Sequence, residues 1–211
     1  MEYLDNLNKL DFNSLDLEMM DYAKNNNVPI IQLEGLHFLR QVIMLKNCKR
    51  ILEIGTAIGY SSIQMAKLGV VVDTIEINEE SYNIALENIK KANLSDKINV
   101  YLEDALLIDI NKLDKYDLIF IDAAKAQYIN FFNKFKVLLN NRGVILTDNL
   151  LFHGLVLEKE NIESRNLRQL VKKIDNYNSW LMEQTDFDTT IYNIGDGIAL
   201  SIKKDWIIWN M

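Results

Sequence analysis

The sequence predicts an α/β fold. A mostly parallel sheet of seven strands carries helices on its faces, with N-terminal helices before it and an antiparallel hairpin at its C-terminal end. Three observations predict this. Short apolar runs alternate with helical patterns along most of the chain. The first run, Ile51-Leu52-Glu53-Ile54, stops at a glycine loop that opens a helix. Late in the chain, Gly195-Asp196-Gly197 separates two strand-like runs, and an Asp-Gly step is a strong hairpin signal.

The elements follow in order. Residues 12–26 read as a helix with Leu15, Met19, Tyr22 and Ala23 at helical spacing. Asn25-Asn26-Asn27 ends it, and Pro29, the single proline, marks a turn. A second helix over 34–45 turns Leu36, Leu39, Val42 and Ile43 inward. The pattern leaves open whether these two helices cover a ligand cleft or meet a second subunit. Strand one is 51–54, the helix after it 60–68, and strand two 70–75. Asn78-Glu79-Glu80 caps the next helix with the acidic charge its dipole prefers. Tyr82, Ala85, Leu86 and Ile89 form its apolar face. Strand three is 98–102, strand four 116–121 and strand five 144–147, with a helix over 126–139 and a turn at Asn141-Arg142-Gly143 between the last two. A long helix, 162–182, carries Leu167, Leu170, Val171, Ile174, Tyr177 and Leu181 as its stripe, and strands 189–194 and 198–203 form the hairpin. No linker or repeat interrupts the pattern, so residues 1–211 read as one domain: N-terminal helices to 47, a core over 48–204 and a tail over 205–211. Trp206 and Trp209 suit that tail to docking on the body or on a second subunit.

The glycine loop carries the first functional signal. A dinucleotide site uses G-x-G-x-x-G, whose middle glycine makes room for a pyrophosphate. Here Gly55 and Gly59 are separated by Thr56, Ala57 and Ile58, and Glu53 stands where an anion would be repelled. A ligand bearing an ammonium group suits Glu53 better, and S-adenosylmethionine has one. Glu76, at the end of strand two, follows Gly55 by 21 residues, where a ribose-diol acceptor belongs. On these residues the chain resembles a Rossmann-like class I SAM methyltransferase. Asp104 and Ala105, after strand three, are candidates for the adenine edge.

Composition narrows the setting. A chain of 211 residues, 49% hydrophobic, can bury a full core. No run is long and apolar enough to span a membrane, and the acidic, mixed start MEYLDNLNKLDF does not read as a signal peptide. The lone Cys48 offers neither an internal disulfide nor a zinc set, which fits a cytoplasmic protein. Net charge −7 argues against nonspecific nucleic-acid binding, though not against a local basic face.

Asp122, Asp148 and Asn149 form the second signal. All three lie at the ends of strands four and five, and hard cations such as Mg²⁺ take oxygen donors of this kind. Two carboxylates and an amide leave positions for two substrate oxygens. Lys125 follows Asp122 by three residues; beside a divalent ion a lysine loses its proton more easily and can serve as a base toward a hydroxyl.

LEIGTAIGYS, TIEIN, FIDAAKAQY and LTDNLL together resemble the cation-dependent O-methyltransferases of the catechol and caffeoyl-CoA type, over about residues 30 to 203. The resemblance implies that Asp122, Asp148 and Asn149 hold Mg²⁺ or another divalent cation, and that Lys125, with Asp122, is catalytic. It further implies that Ser61 binds the methionine carboxylate, Glu76 the ribose, and Ile31 the cofactor from before the first strand. A homodimer is common among similar enzymes. The substrate should present vicinal oxygens, such as a catechol or a 5-hydroxypyrimidine with its O4 carbonyl.

The stretches LLFHGLV and RNLRQLVKKIDNYNSWLMEQTDFDTTIYNIGDGIALSIKK resemble the small bacterial branch that methylates 5-hydroxyuridine in tRNA. Arg165, Arg168 and Lys172 share one helical face that could meet phosphates, and His153 stands beside the Asp-Asn pair. Two substrates therefore stay open: tRNA, or a small catechol-type molecule with the charge stripe a solvated helix face.

Overall fold

The structure, a computed structural model, describes residues 7–205. Trp206 and Trp209 lie outside the described residues. Two helices, α1 (Ser14–Asn25) and α2 (Leu33–Leu45), precede strand β1 (Arg50–Ile54). There follow α3 (Tyr60–Ala66), β2 (Val71–Glu76), α4 (Glu79–Lys91), β3 (Ile98–Leu102), β4 (Tyr116–Ile121), α5 (Tyr128–Phe135), β5 (Leu139–Thr147), α6 (Arg165–Met182), β6 (Phe187–Tyr192) and β7 (Ile198–Lys203).

The seven strands form one sheet in the order β3-β2-β1-β4-β5-β7-β6. β1 to β5 are parallel, and β7 runs antiparallel between β5 and β6. Strand alternation divides the core in two. Leu52, Ile54, Ile119, Ile121 and Ile145 pack toward α5 and α6, with Phe132, Phe135, Val171 and Ile174. Ile51, Val72, Leu118, Phe120, Val144 and Leu146 pack toward α1–α4. Cys48 is buried in this second cluster, just before the first strand, and burial pushes its thiol up to about 11. The expected fold class is thus observed: an α/β Rossmann-like sheet with a C-terminal hairpin and N-terminal helices. Among the described residues no helix is long and apolar enough to cross a membrane.

Three expected boundaries shift. The turn expected at 141–143 is not a break: Arg142 takes φ 56°, and β5 begins already at Leu139 with a register shift against β4 between Tyr116 and Leu118. The turn residues mark a bulge. The helix expected over 126–139 is a regular helix only at Tyr128–Phe135, flanked by 3₁₀ turns at Lys125–Gln127 and Lys136–Leu138. α6 starts at Arg165 rather than 162, because Ser164 caps it by accepting from the Leu167 N–H.

α1 is tied to the body by one buried acid. Asp16 closes a capping box with Asn13 and accepts from Gln64 Nε2 at 2.7 Å and Lys67 Nζ at 2.6 Å. Asp16 is fully buried, whereas Lys67 is partly exposed and regains water if the pair is broken. Asp16→Ala should therefore cost about 2–3 kcal/mol, the lower side of a broken buried pair. Urea unfolding of the purified variant measures it; a loss below about 0.5 kcal/mol would show that the pair is not what anchors α1.

Candidate active site

A cavity of about 380 Å³ opens at the carboxyl ends of β1, β2 and β4, the end of a parallel sheet where ligands bind. Gly55, Thr56, Ala57, Ser61, Glu76, Asp104, Ala105, Asp122 and Lys125 line it, and so does Ile31. The segment before α2 thus covers the cleft, which answers half of the question about the N-terminal helices. Gly55 sits at φ +102°, and a Cβ there would overlap the Asp122 carbonyl oxygen. Only glycine fits. Ala57 is also left-handed, at φ 47°, and donates its N–H to Glu76 Oε2 at 2.8 Å. Glu76 Oε1 accepts from the N–H groups of Ile77 and Asn78. The carboxylate is therefore fixed by three backbone donors and placed on the cavity wall, as a ribose acceptor must be. Asp104 faces the same cavity while accepting from the Leu106 N–H. Glu76, Glu103, Asp104 and Asp122 make the wall acidic, which suits a sulfonium ligand.

Two expected cofactor residues lie elsewhere. Glu53 is fully buried and is not on the cavity wall. Alternation puts its side chain on the face of Ile51, toward α3, where Ser61, Ser62 and Thr74 hydroxyls donate to it. Burial pushes its carboxyl up to about 7 despite these three donors. Glu53 thus anchors the loop from behind, and the Ser61 hydroxyl is spent on it. Gly59 is the N-cap of α3 at φ +82°, and a Cβ there would lie 3.3 Å from the Ala85 Cβ. It permits close packing of α3 on α4 and does not line the cavity.

The three oxygen donors do converge. The Asp122 N–H donates to the Ile54 carbonyl at 3.0 Å, and the Asp148 N–H to the Ile121 carbonyl at 3.1 Å, so both residues extend neighbouring strands. Asp148 is buried and Asp122 half-buried. Desolvation pushes both carboxyls up; Asp122 reinforces the shift at Asp148, and Lys125 opposes it at both. Tyr128 donates its hydroxyl to the Asp148 carbonyl at 2.9 Å, locking this corner onto α5. Asn149, at φ 62°, presents Oδ1 to Lys125 Nζ at 2.7 Å. Two desolvated acids, one of which raises the other's affinity for a proton, beside an amide oxygen already holding an ammonium, fit a cation. Among the described residues no group of three or more His, Cys, Asp or Glu side chains could hold a metal; this set has two acids and an amide.

The substrate side is partly different from expectation. Arg165, Arg168 and Lys172 are exposed on α6, but none lines a cavity described here. Arg168 spends its guanidinium on the carbonyls of Ile162 and Glu163. The polar α6 side chains that reach the site are those of Lys173 and Asn176, beside Tyr177 of the same helix. With Asn130, Tyr128 and Tyr177 they line a groove of about 230 Å³ that shares Lys125 with the first cavity. Lys173 was legible only as the neighbour of Lys172, since a stripe read by threes and fours does not say which stripe faces the cleft. His153 is exposed and lines neither cavity, its ring centroid 5.6 Å from that of Phe152. The Phe152 ring lies 5.7 Å from Lys125 Nζ, within cation–π reach.

The family model described as O-methyltransferase matches residues 8–204. A Populus kitakamiensis protein named caffeoyl-CoA O-methyltransferase is 32% identical over 173 residues, 77% of this chain and 73% of that protein. Tapetum-specific methyltransferase 1 of Arabidopsis thaliana is 33% identical over 172 residues, with 77% and 73% covered. A crystal structure from Staphylococcus aureus, described as a candidate caffeoyl-CoA O-methyltransferase, shares 40% identity at a TM-score of 0.91, over 96% of this chain and 98% of that one. The O-methyltransferase from Bacillus cereus in complex with SAH shares 26% identity at a TM-score of 0.82, with 96% of each chain covered. A match along nearly the whole length, joined to a SAH-bound relative of similar overall structure, shows that this chain belongs to the O-methyltransferase family and is a SAM-dependent O-methyltransferase of the caffeoyl-CoA type.

Proposed function

We propose that this enzyme uses a divalent cation, Mg²⁺ or a similar hard ion, to methylate a vicinal-oxygen substrate, and that its acceptor is 5-hydroxyuridine in tRNA, giving 5-methoxyuridine. Asp122, Asp148 and Asn149 would hold the cation. When bound, the cation supplies Lewis acidity that makes an adjacent hydroxyl easier to ionise. Lys125 Nζ, neutral once a cation sits beside it, would take the hydroxyl proton, and SAM when bound would supply the methyl group, leaving as a neutral thioether. The backbone-fixed Glu76 and the rigid loop at Gly55 would hold the donor in place, so that approach of the acceptor is favoured.

One observation carries the choice of acceptor. The groove beyond Lys125 is lined by two lysines and two asparagines and by no carboxylate, in a chain of net charge −7. Such a groove suits a phosphate-bearing acceptor whose reacting oxygen lies at Lys125. The relatives named for caffeoyl-CoA favour a second reading, a phosphate-bearing aryl thioester, on the same grounds. A plain catechol uses none of the groove. A soluble homodimer in the cytoplasm remains part of the proposal.

Methyl transfer from labelled SAM, with Mg²⁺ and with tRNA carrying 5-hydroxyuridine, caffeoyl-CoA and catechol offered in parallel, tests the acceptor. Label recovered as 5-methoxyuridine and lost with EDTA is the expected result; label only in either small molecule would replace the tRNA reading. Asp148→Ala should lower turnover at least about a hundredfold while SAM affinity stays within about twofold. Full activity of that variant in EDTA would overturn the metal mechanism. Glu76→Ala should weaken SAM binding about 10- to 100-fold by calorimetry, as loss of charge-assisted hydrogen bonds predicts. Lys173→Glu should raise the KM for tRNA about tenfold and flatten its salt dependence, with Arg165→Glu nearly silent. Equal effects from both would return the charge to a diffuse helix face.

A further inference from the structure

The turn between β6 and β7 does more than reverse the chain. Its carbonyls at Gly197 and Asp196 accept the N–H groups of Leu150 and Leu151, at 2.9 and 2.8 Å. A Cβ on Gly197, at φ +86°, would lie 2.6 Å from Leu151 Cγ, so the turn is packed directly onto the segment that follows Asn149. Asp196 is 5% exposed. Its Oδ1 accepts from the His153 N–H, and its Oδ2 is buried without a hydrogen-bond partner, 3.8 Å from His153 Nδ1. The segment it grips is strained. Phe152 and His153 are consecutive left-handed residues, at φ 47° and 55°, and neither is glycine. L side chains avoid that conformation, which persists only where surrounding contacts over-determine it. Phe152 is also the ring that lies over Lys125.

We propose that Asp196 is a positioning residue of the acceptor site. Its buried carboxylate holds residues 152 and 153 left-handed and thereby holds the Phe152 ring against Lys125, the residue that lines both the cofactor cavity and the groove. A buried carboxylate with an unpartnered oxygen is costly to keep. At this place it is retained for the hydrogen bond it makes to a strained backbone, which a neutral amide oxygen can also make. The inference rests on the O-methyltransferase activity, and not on whether the acceptor is tRNA.

Hydrogen exchange and steady-state kinetics on the full chain test it with Asp196→Ala and Asp196→Asn. Asp196→Ala should speed amide exchange at His153 at least about tenfold. It should also raise the acceptor KM about tenfold, with kcat changed less than threefold and SAM affinity within twofold, which are on the order of the loss of one charge-assisted hydrogen bond. The acceptor is whichever of tRNA, caffeoyl-CoA or catechol the wild type methylates. Asp196→Asn keeps an acceptor for the His153 N–H and should restore both exchange and KM. Phe152→Leu should reproduce the KM rise with Asp196 in place, and it keeps the kinetic test available should Asp196→Ala not fold. Unchanged exchange at His153 in Asp196→Ala overturns the inference. So does an Asp196→Asn as impaired as Asp196→Ala, or a wild-type KM in Phe152→Leu. The exchange arm needs no acceptor, so failure of the tRNA reading leaves it decisive.

Discussion

At the end of β1 the chain turns at Gly55 directly against the Asp122 carbonyl, with no room for a single methyl group between them. The two strands are locked there from both sides: the Asp122 N–H donates to Ile54, and the Gly55 N–H donates to Ile75 of β2. This contact puts the floor of the cavity and the first acid of the proposed cation set on one rigid piece of backbone. Methyl transfer needs a donor carbon and an acceptor oxygen held in line within a fraction of an ångström, and effective molarity falls steeply when they drift. A glycine packed on a carbonyl couples the two more tightly than any pair of side chains could. Everything around it serves the same coupling: Glu53 beneath the loop, Glu76 beside it and Tyr128 beneath Asp148.

The acids at this end of the sheet are held in contrasting ways. Glu76 is surrounded by three backbone N–H donors on the cavity wall, a fixed anionic acceptor for hydroxyls. Glu53 has three hydroxyl donors, yet burial still lifts it to about 7. Asp122 and Asp148 are lifted by desolvation, opposed by Lys125 at both and, at Asp148, also by one backbone N–H from Asn149. Strong desolvation with an incomplete set of donors is what a carboxylate looks like when its partner is a ligand rather than the protein. The same logic separates Glu53, which is structural, from the Asp122–Asp148 pair, although all three are strand-end acids.

That separation marks where reading the sequence stopped. Residue type and spacing sufficed for the parallel strands, the hairpin, the Gly55 loop and the placing of Glu76, Asp122, Asp148 and Asn149 at strand ends, because each is a backbone requirement fixed by position along a strand. They did not suffice for Glu53 and Gly59. One residue of alternation decides whether an acid at a strand end looks forward into the cleft or sideways into a helix layer, and Glu53 looks sideways. Gly59 serves helix packing, a reason for glycine indistinguishable in sequence from ligand approach. On α6 the missing information was rotation about the helix axis: Arg165, Arg168 and Lys172 share a face, but Lys173 and Asn176 share the face that meets Lys125. Asp196 read only as part of a turn signal, and its hold on residue 153 is a tertiary contact no local pattern encodes.

Cofactor and acceptor are thus served by different kinds of structure. The cofactor side consists of parallel strand ends and helix caps whose conformations are locally favoured apart from Ala57. Beside Lys125, on the proposed acceptor side, runs the segment 149–154, with left-handed residues at Asn149, Phe152, His153 and Gly154, clamped by a hairpin turn that belongs to the antiparallel edge of the sheet. Strain that is released when the clamp is released is a natural place for specificity to change without disturbing the donor. Substitutions in the turn or in 150–153 alter what lies over Lys125 and leave Gly55 and Glu76 untouched. In this chain that independence comes from the break between the parallel core and the antiparallel hairpin.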